Sequence, residues 1–374
     1  MTGVEPAIPL FRVFMADSVP AAAGEILASG QIASGPAVAR FEAALQPLLG
    51  SPLVVGLSDH SAGLALALYL AGVRPGDAVL ASPMTCLASS MPIASLFARP
   101  VWADVDPLTG MIDPADVEAR LTPQVRAILV YHWAGDVAEI EVLAAIAARH
   151  GLPLIQDASA ALGAEIGGQP LGAFPADYSL FSFYPSKPLA CGNGAALSLH
   201  DPALAARARR VRRYDIDVAS FRRADGDLNP DSPIGETGFN CAIDQLMARI
   251  GLENLPHLPV LLARTRANAA ALDGALAGVA GLTRLRRRRD ARSAHWTYSL
   301  RVERRDDLIR KLREHGIASQ RLHLRNDRYA VFAAARADLP GTDDFDAENL
   351  SLPCGWWVDA ADIQRIADVL RSGW

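Results

Sequence analysis

Tyr178–Leu199 reads YSLFSFYPSKPLACGNGAALSL, two strand-like runs with one lysine between them. From Tyr178 to Phe183, hydroxyl-bearing and apolar residues alternate among β-formers, as in a buried strand. Gly192-Asn193-Gly194 makes a turn, and Ala195 to Leu199 begins another strand. Pro185 and Pro188 bracket Lys187 and deny it regular ladder pairing. The amine is therefore held on a stiff loop inside an apolar core. A lysine so placed is either a snorkelling surface residue or a nucleophile whose pKa burial has lowered. Taken alone, the stretch favours the first, because most lysines are solvated.

Asp157 shifts that balance. It ends another buried run, Leu152-Pro153-Leu154-Ile155-Gln156-Asp157, and the carboxyl ends of parallel strands are where α/β sheets place their ligands. An acid, then a strand with a serine, then a lysine is the arrangement pyridoxal 5'-phosphate requires. The lysine forms an imine with the cofactor aldehyde, and the aspartate keeps the pyridine nitrogen protonated so that the ring accepts electrons.

Three further runs carry a family resemblance: LIQDASAALGAEIGGQPLGAFPADYSLFSFYPSKPLACGNGA, GFNCAIDQLMARIGLENL and GQIASGPAVARFEAAL. With the closing LPCGWWVDAADIQRIADVL they make nearly the whole chain similar to the StrS/DegT family of pyridoxal-phosphate-dependent nucleotide-sugar aminotransferases. The resemblance implies an α/β, fold type I transferase with a mostly parallel central sheet flanked by helices, plus a smaller α+β C-terminal domain. Residues 1–250 would form the N-terminal arm and large cofactor domain, and residues 251–374 the small one.

Composition agrees with a protein of this size. The 374 residues are 51% hydrophobic and 21% charged, an ordinary globular profile, and the length calls for more than one core. A net charge of −5 gives no global attraction to nucleic acid or an anionic membrane. The one basic run, Arg284 to Arg289, reads as a solvated edge between a helix and a strand, with nucleic acid or a diphosphate as the rarer use. Cys86, Cys191, Cys241 and Cys354 form no CxxC pair, so neither zinc nor a disulfide framework is expected, in keeping with a cytoplasmic protein. The opening MTGVEPAIPLFRVF lacks a basic region followed by a long apolar run, and no membrane span is expected.

Along the chain, helical patterns at Val19 to Ala28 and Ala37 to Leu49 precede a strand at Leu53 to Leu57. The turn Ser58-Asp59-His60-Ser61-Ala62-Gly63 then enters a helix from Leu64 to Ala71. Such a turn is an anion site because helix N-terminal amides point at the ligand, although a plain N-cap by Ser58 or Ser61 is the simpler local reading. Strands at Ala78 to Ala81, Val101 to Ala103 and Ala127 to Tyr131 alternate with helices at Ala88 to Ala98, Pro114 to Arg120 and Ile140 to His150. This βα rhythm predicts a parallel sheet covered by helices. Beyond the long polar segment Asp215 to Glu236 come a helical run His257 to Val279, a strand Trp296 to Val302, a helix Asp306 to His315, a strand Ile317 to Leu322 and a last helix Ala360 to Leu370.

By the resemblance, Ser61 and Ala62 fall on positions that contact the cofactor phosphate, and Ser182 bonds it. Asn240 would reach the partner's phosphate, which implies a homodimer with shared active sites. Cys86 stands where an aromatic residue commonly stacks on the ring, and Ser159 is expected under it. Arg321, His323, Arg325 and Asn326 cluster as a possible grip for a nucleotide diphosphate, or as a charged loop. The chain departs from the family pattern at Asp59, His60, Cys86, Ala160, Asn193 and Ala242. The expected activity is transfer of an amino group, with glutamate as donor, to a keto-sugar on a nucleotide diphosphate. Lys187 would be the acid and base, and Asp157 the ring's charge partner. A cyclitol or other small ketone as acceptor, and a non-catalytic regulatory protein on the same fold, are the alternatives. Dehydratases of this family replace the lysine by histidine, so Lys187 argues against that branch.

Overall fold

The computed structural model describes residues 7–374. Its strands, in chain order, are β1 (Leu53–Leu57), β2 (Ala78–Ala81), β3 (Arg99–Trp102), β4 (Val125–Tyr131), β5 (Leu154–Asp157), β6 (Glu165–Ile166), β7 (Gln169–Pro170), β8 (Tyr178–Ser182) and β9 (Ala195–Leu199), followed by β10 (Leu282–Arg284), β11 (Ala291–Arg292), β12 (Tyr298–Val302) and β13 (Asn349–Leu352). The large sheet is seven-stranded in the order β1-β9-β8-β5-β4-β2-β3. Every pairing among β3, β2, β4, β5 and β8 is parallel, whereas β9 runs antiparallel to both β8 and β1. The sheet is thus mostly parallel, as the βα rhythm predicts, with one reversed strand that returns directly from the Lys187 loop.

Both faces are covered, which is why every residue of β5, β8 and β9 is buried and why β4 carries the apolar run Ala127 to Tyr131. One face packs on Phe41, Leu45, Trp133, Leu143 and Phe183, the other on Leu64, Leu68, Ile93, Trp102 and Phe332. A third core joins β12 and β13 to the helices Leu258–Ala275, Arg305–Glu314 and Ala360–Arg371 through Leu272, Leu300, Leu312, Leu352 and Ile366. Ile8 belongs to this third core. Its amide donates to the Gly316 carbonyl at 3.0 Å and its own carbonyl accepts from the Ala318 amide at 2.9 Å, so the N-terminal arm adds to the C-terminal unit rather than to the large sheet.

Several boundaries differ from the sequence expectation. The helical run placed at His257 to Val279 is the helix Leu258–Ala275, which follows a separate helix Gln245–Asn254 and a short 3-10 turn. Ile317 to Leu322 makes isolated bridges at Ile317 and Gln320 instead of a strand, and the small sheet takes Asn349–Leu352 as its edge. The basic run is only partly a solvated edge. Arg286 pairs with Asp106, Arg287 with Asp273 at 2.7 Å, and Arg288 with Glu141 and Asp290 at 2.7 Å each.

Candidate active site

The loop that carries Lys187 is pinched shut at its base. The Phe183 amide donates to the Gly194 carbonyl at 2.7 Å and the Cys191 amide to the Phe183 carbonyl at 3.0 Å, so residues 184–190 project from between β8 and β9. Within the projection, the Lys187 amide donates to the Tyr184 carbonyl at 2.8 Å. The side chain is half-buried, with Nζ 3.2 Å from the centre of the Trp296 ring. Burial lowers its pKa to about 8, against the pull of Asp157 and Cys86, which favour the charged form. About one lysine in ten is then neutral at pH 7.

Asp157, at the carboxyl end of β5, is fully buried. Burial alone would raise its pKa, but the charge and hydrogen bond of His60 and the donors Ser89 and Ser159 hold it below the usual carboxylate range. His60 Nε2 lies 3.0 Å from Oδ1, the Ser159 amide donates to the same oxygen at 3.0 Å, and the Ser89 hydroxyl donates to Oδ2 at 2.5 Å. An anion is thereby kept in the core close enough to Lys187 to act on its charge.

The entry turn differs from both sequence readings of its cap. The helix begins at His60, and its N-cap is neither Ser58 nor Ser61 but Asp59, whose Oδ1 accepts from the Ala62 amide at 2.8 Å. Helix-start amides have no intrahelical partner, so with Ala62 served by Asp59 the amides of His60 and Ser61 are those left for an anion. Ser61 donates its hydroxyl to the Ala88 carbonyl at 3.3 Å. Ser182 sits buried at the end of β8, where its hydroxyl accepts from the Tyr184 amide at 3.3 Å. Cys86 is half-buried at the start of the helix Leu87–Ser95, and burial pushes its thiol pKa up. Asn240 is exposed.

The segment after Gly316 does not form one phosphate grip. Arg325 forks onto Asp327 at 2.6 and 2.7 Å and also pairs with Asp343, while Arg321 pairs with Asp306 at 3.2 Å. Asn326 is buried, its amide nitrogen donating to Ser90 Oγ at 2.7 Å and Thr85 Oγ1 at 3.0 Å, so it anchors the Cys86 turn. Only His323 reaches the lysine. It meets the Tyr131 hydroxyl at 2.9 Å, stacks on Trp296 with ring centres 6.2 Å apart, and has its pKa pushed down to about 3 by burial and by the charge of Lys187. Tyr131 and Trp296 were not singled out from sequence, since each reads as an ordinary strand aromatic. The aromatic pattern TYSL after Trp296 marks only a strand, not a wall beside an amine.

An amine of lowered pKa, a buried anion and the start of an eleven-residue helix on one side of a parallel sheet define a pyridoxal-phosphate transferase of fold type I. The chain belongs to the DegT/DnrJ/EryC1/StrS aminotransferase family, whose model matches residues 15–371. Among solved structures it is similar to AtS13 from Actinomadura melliaura, at 36% identity and a TM-score of 0.93 over 100% of both chains. It is also similar to the sugar aminotransferase CalS13 from Micromonospora echinospora, at 35% identity and a TM-score of 0.93, covering 98% of this chain and 100% of that one. DesI, solved in the presence of its TDP-sugar product, is 28% identical with a TM-score of 0.87, covering 99% of this chain and 93% of that one. The protein is therefore an aminotransferase of a sugar aminotransferase family, and its cofactor is pyridoxal 5'-phosphate. The donor set fits that cofactor: Lys187 would supply the amine, Asp157 the carboxylate, and the turn at His60 and Ser61 the amides. No helix among the described residues is long and apolar enough to cross a membrane.

Proposed function

We propose that the protein moves an amino group from an amino acid, glutamate in the first instance, to a keto-sugar carried on a nucleotide diphosphate. The observation that carries this reading is the half-buried Lys187, poised near neutrality beside an anion that cannot be neutralised by ordinary pH. When bound, the cofactor supplies an electron sink that stabilises a carbanion at the donor's Cα. Lys187 Nζ would hold it and, when released, would take the proton from the donor's Cα and deliver it to the cofactor carbon. Asp157 would be the charge partner of the ring nitrogen and would keep it protonated. The His60 and Ser61 amides, with the Ser61 and Ser182 hydroxyls, would seat the phosphate, while Cys86 and Ser159 would bound the ring; the Ala62 amide, expected to share in this, is taken by Asp59. The Trp296 and His323 rings exclude water from the lysine.

The homodimer with shared active sites is part of the proposal, with Asn240 reaching the partner's phosphate. It is supported by the exposure of Asn240 and of apolar side chains nearby in sequence, Tyr214, Val218, Leu228 and Ile234, each more than half exposed. Residues 1–250 would hold the cofactor and 251–374 close over the substrate. Four free cysteines suit a cytoplasmic enzyme. DesI's TDP-sugar product supports a nucleotide-linked acceptor. A second reading, a cyclitol or other small ketone, is favoured by the commitment of Arg321 and Arg325 to internal carboxylates.

The test is the visible spectrum of the protein with pyridoxal 5'-phosphate, before and after glutamate, beside Lys187→Ala. The expected result is a band that requires Lys187 and shifts with glutamate, followed by turnover with a nucleotide keto-sugar. A band indifferent to every amino donor would overturn the donor half of the reading. Turnover with free cyclitol ketones alone would replace the acceptor half.

A further inference from the structure

Three donors grip the Asp157 carboxylate, and the imidazole of His60 is the bulkiest of them. His60 is the first residue of the helix that Asp59 caps, and its imidazole is turned inward, 11% exposed, onto a carboxylate that is 0% exposed. An ionised carboxylate offers about four acceptor directions. Oδ1 uses two, for His60 Nε2 and the Ser159 amide, and Oδ2 uses one, for the Ser89 hydroxyl. One direction on Oδ2 stays open.

We propose that His60 is a positioning residue for the cofactor chemistry: it fixes the plane of the Asp157 carboxylate and leaves a single acceptor direction for the cofactor's ring nitrogen. The carboxylate torsion of aspartate is broad and soft, so a plane defined by backbone alone would drift. Anchors on both oxygens remove that freedom. Donation from Nε2 also withdraws charge from the carboxylate and makes it a poorer base, so the shared proton stays on the ring nitrogen. Nε2 must carry hydrogen for this.

The other titratable groups that act on Asp157 are Lys187, Cys86, Tyr131, His132 and His323. Burial holds His132 at about 4 and His323 at about 3, and it raises Cys86 and Tyr131 above their usual values. None of these four changes charge between about pH 5 and 7. A change in cofactor titration on altering His60 therefore reports on the His60–Asp157 contact.

The inference rests on the cofactor assignment, and the experiment separates the two. Wild type, His60→Ala, His60→Leu and His60→Gln are compared for pyridoxal 5'-phosphate affinity and for the pH midpoint of the visible band of the bound cofactor. Leucine restores volume without a donor, and glutamine restores a neutral N–H at similar reach. Loss of one hydrogen bond to a charged group is expected to weaken cofactor binding about tenfold in both His60→Ala and His60→Leu. It should also move the midpoint upward, because a ring that loses its proton leaves a more basic imine nitrogen. His60→Gln should return both quantities toward wild type. Wild-type affinity and midpoint in His60→Leu would overturn the assignment, as would a His60→Gln no better than leucine in a protein that melts normally. Failure of the wild type itself to form a band would overturn the cofactor assignment, and the role of His60 with it.

Discussion

Lys187 works near neutrality because its surroundings are a poor host for its charge, and that has a cost for the cofactor-free protein. Its folded pKa, about 8, lies below the ordinary 10.5, so the unfolded chain binds more protons between those values and stability rises with pH across the window. Below pH 8 the penalty is fully present. Lys187→Met, which keeps the stem and removes the charge, should raise the melting temperature of the apoprotein at pH 7 by roughly 2–4 °C. The gap should close between pH 8 and 10.5, and a scan at pH 7 and pH 10 checks it. Lys187 and Asp157 were legible in the sequence because each ends or follows a run whose burial its own neighbours declare. His60 was visible only as a departure from the family turn. Its partner lies 97 positions away, and no local pattern couples a helix start to the end of another strand.

The helix His60–Leu70 owes its start to Asp59, and that residue performs two opposed jobs. Its side chain caps the helix, and its charge sits beside amides suited to a phosphate. Asp59→Ala should lose about 1 kcal/mol of stability with the cap. Asp59→Asn keeps an acceptor for the Ala62 amide and should tighten cofactor binding roughly threefold to tenfold, read by titration at constant ionic strength. A second element depends on close approach. Gly135 has φ of +99°, and a Cβ there would meet the Trp296 amide nitrogen at 2.7 Å and that of His295 at 2.8 Å. Gly135→Ala should cost about 1–3 kcal/mol and displace the segment that brings Trp296 to Lys187, lowering both the melting temperature and cofactor affinity. Elements of the large sheet were readable because two covered faces leave long apolar runs. The edge Asn349–Leu352 was not, because two of its four residues are the polar Asn349 and Ser351, and Ser351 is paired through a distant partner, Ser299 at 2.9 Å.

For the whole molecule, the proposed shared-site dimer makes a prediction that no single subunit can meet. Lys187→Ala and Asn240→Asp proteins should each be inactive or nearly so. If each site takes its lysine from one chain and Asn240 from the other, every mixed dimer holds one intact site. Random exchange of equal amounts should then restore about a quarter of wild-type activity per site. Sedimentation of the separate variants checks that both remain dimers, and no recovery on mixing would show that the sites are not shared.

The bond between Ile8 and the Gly316–Ala318 backbone also sets a timetable, because Ile8 is synthesised well before the segment that pairs with it. At the usual pace of synthesis the interval is roughly 15–60 s. Through that interval Ile8 and Leu10, both buried in the finished protein, are apolar side chains without their final cover. The large sheet is complete once Leu199 is out, so it is free to fold while the arm waits. When the C-terminal unit closes, Ile8 is put out of a chaperone's reach.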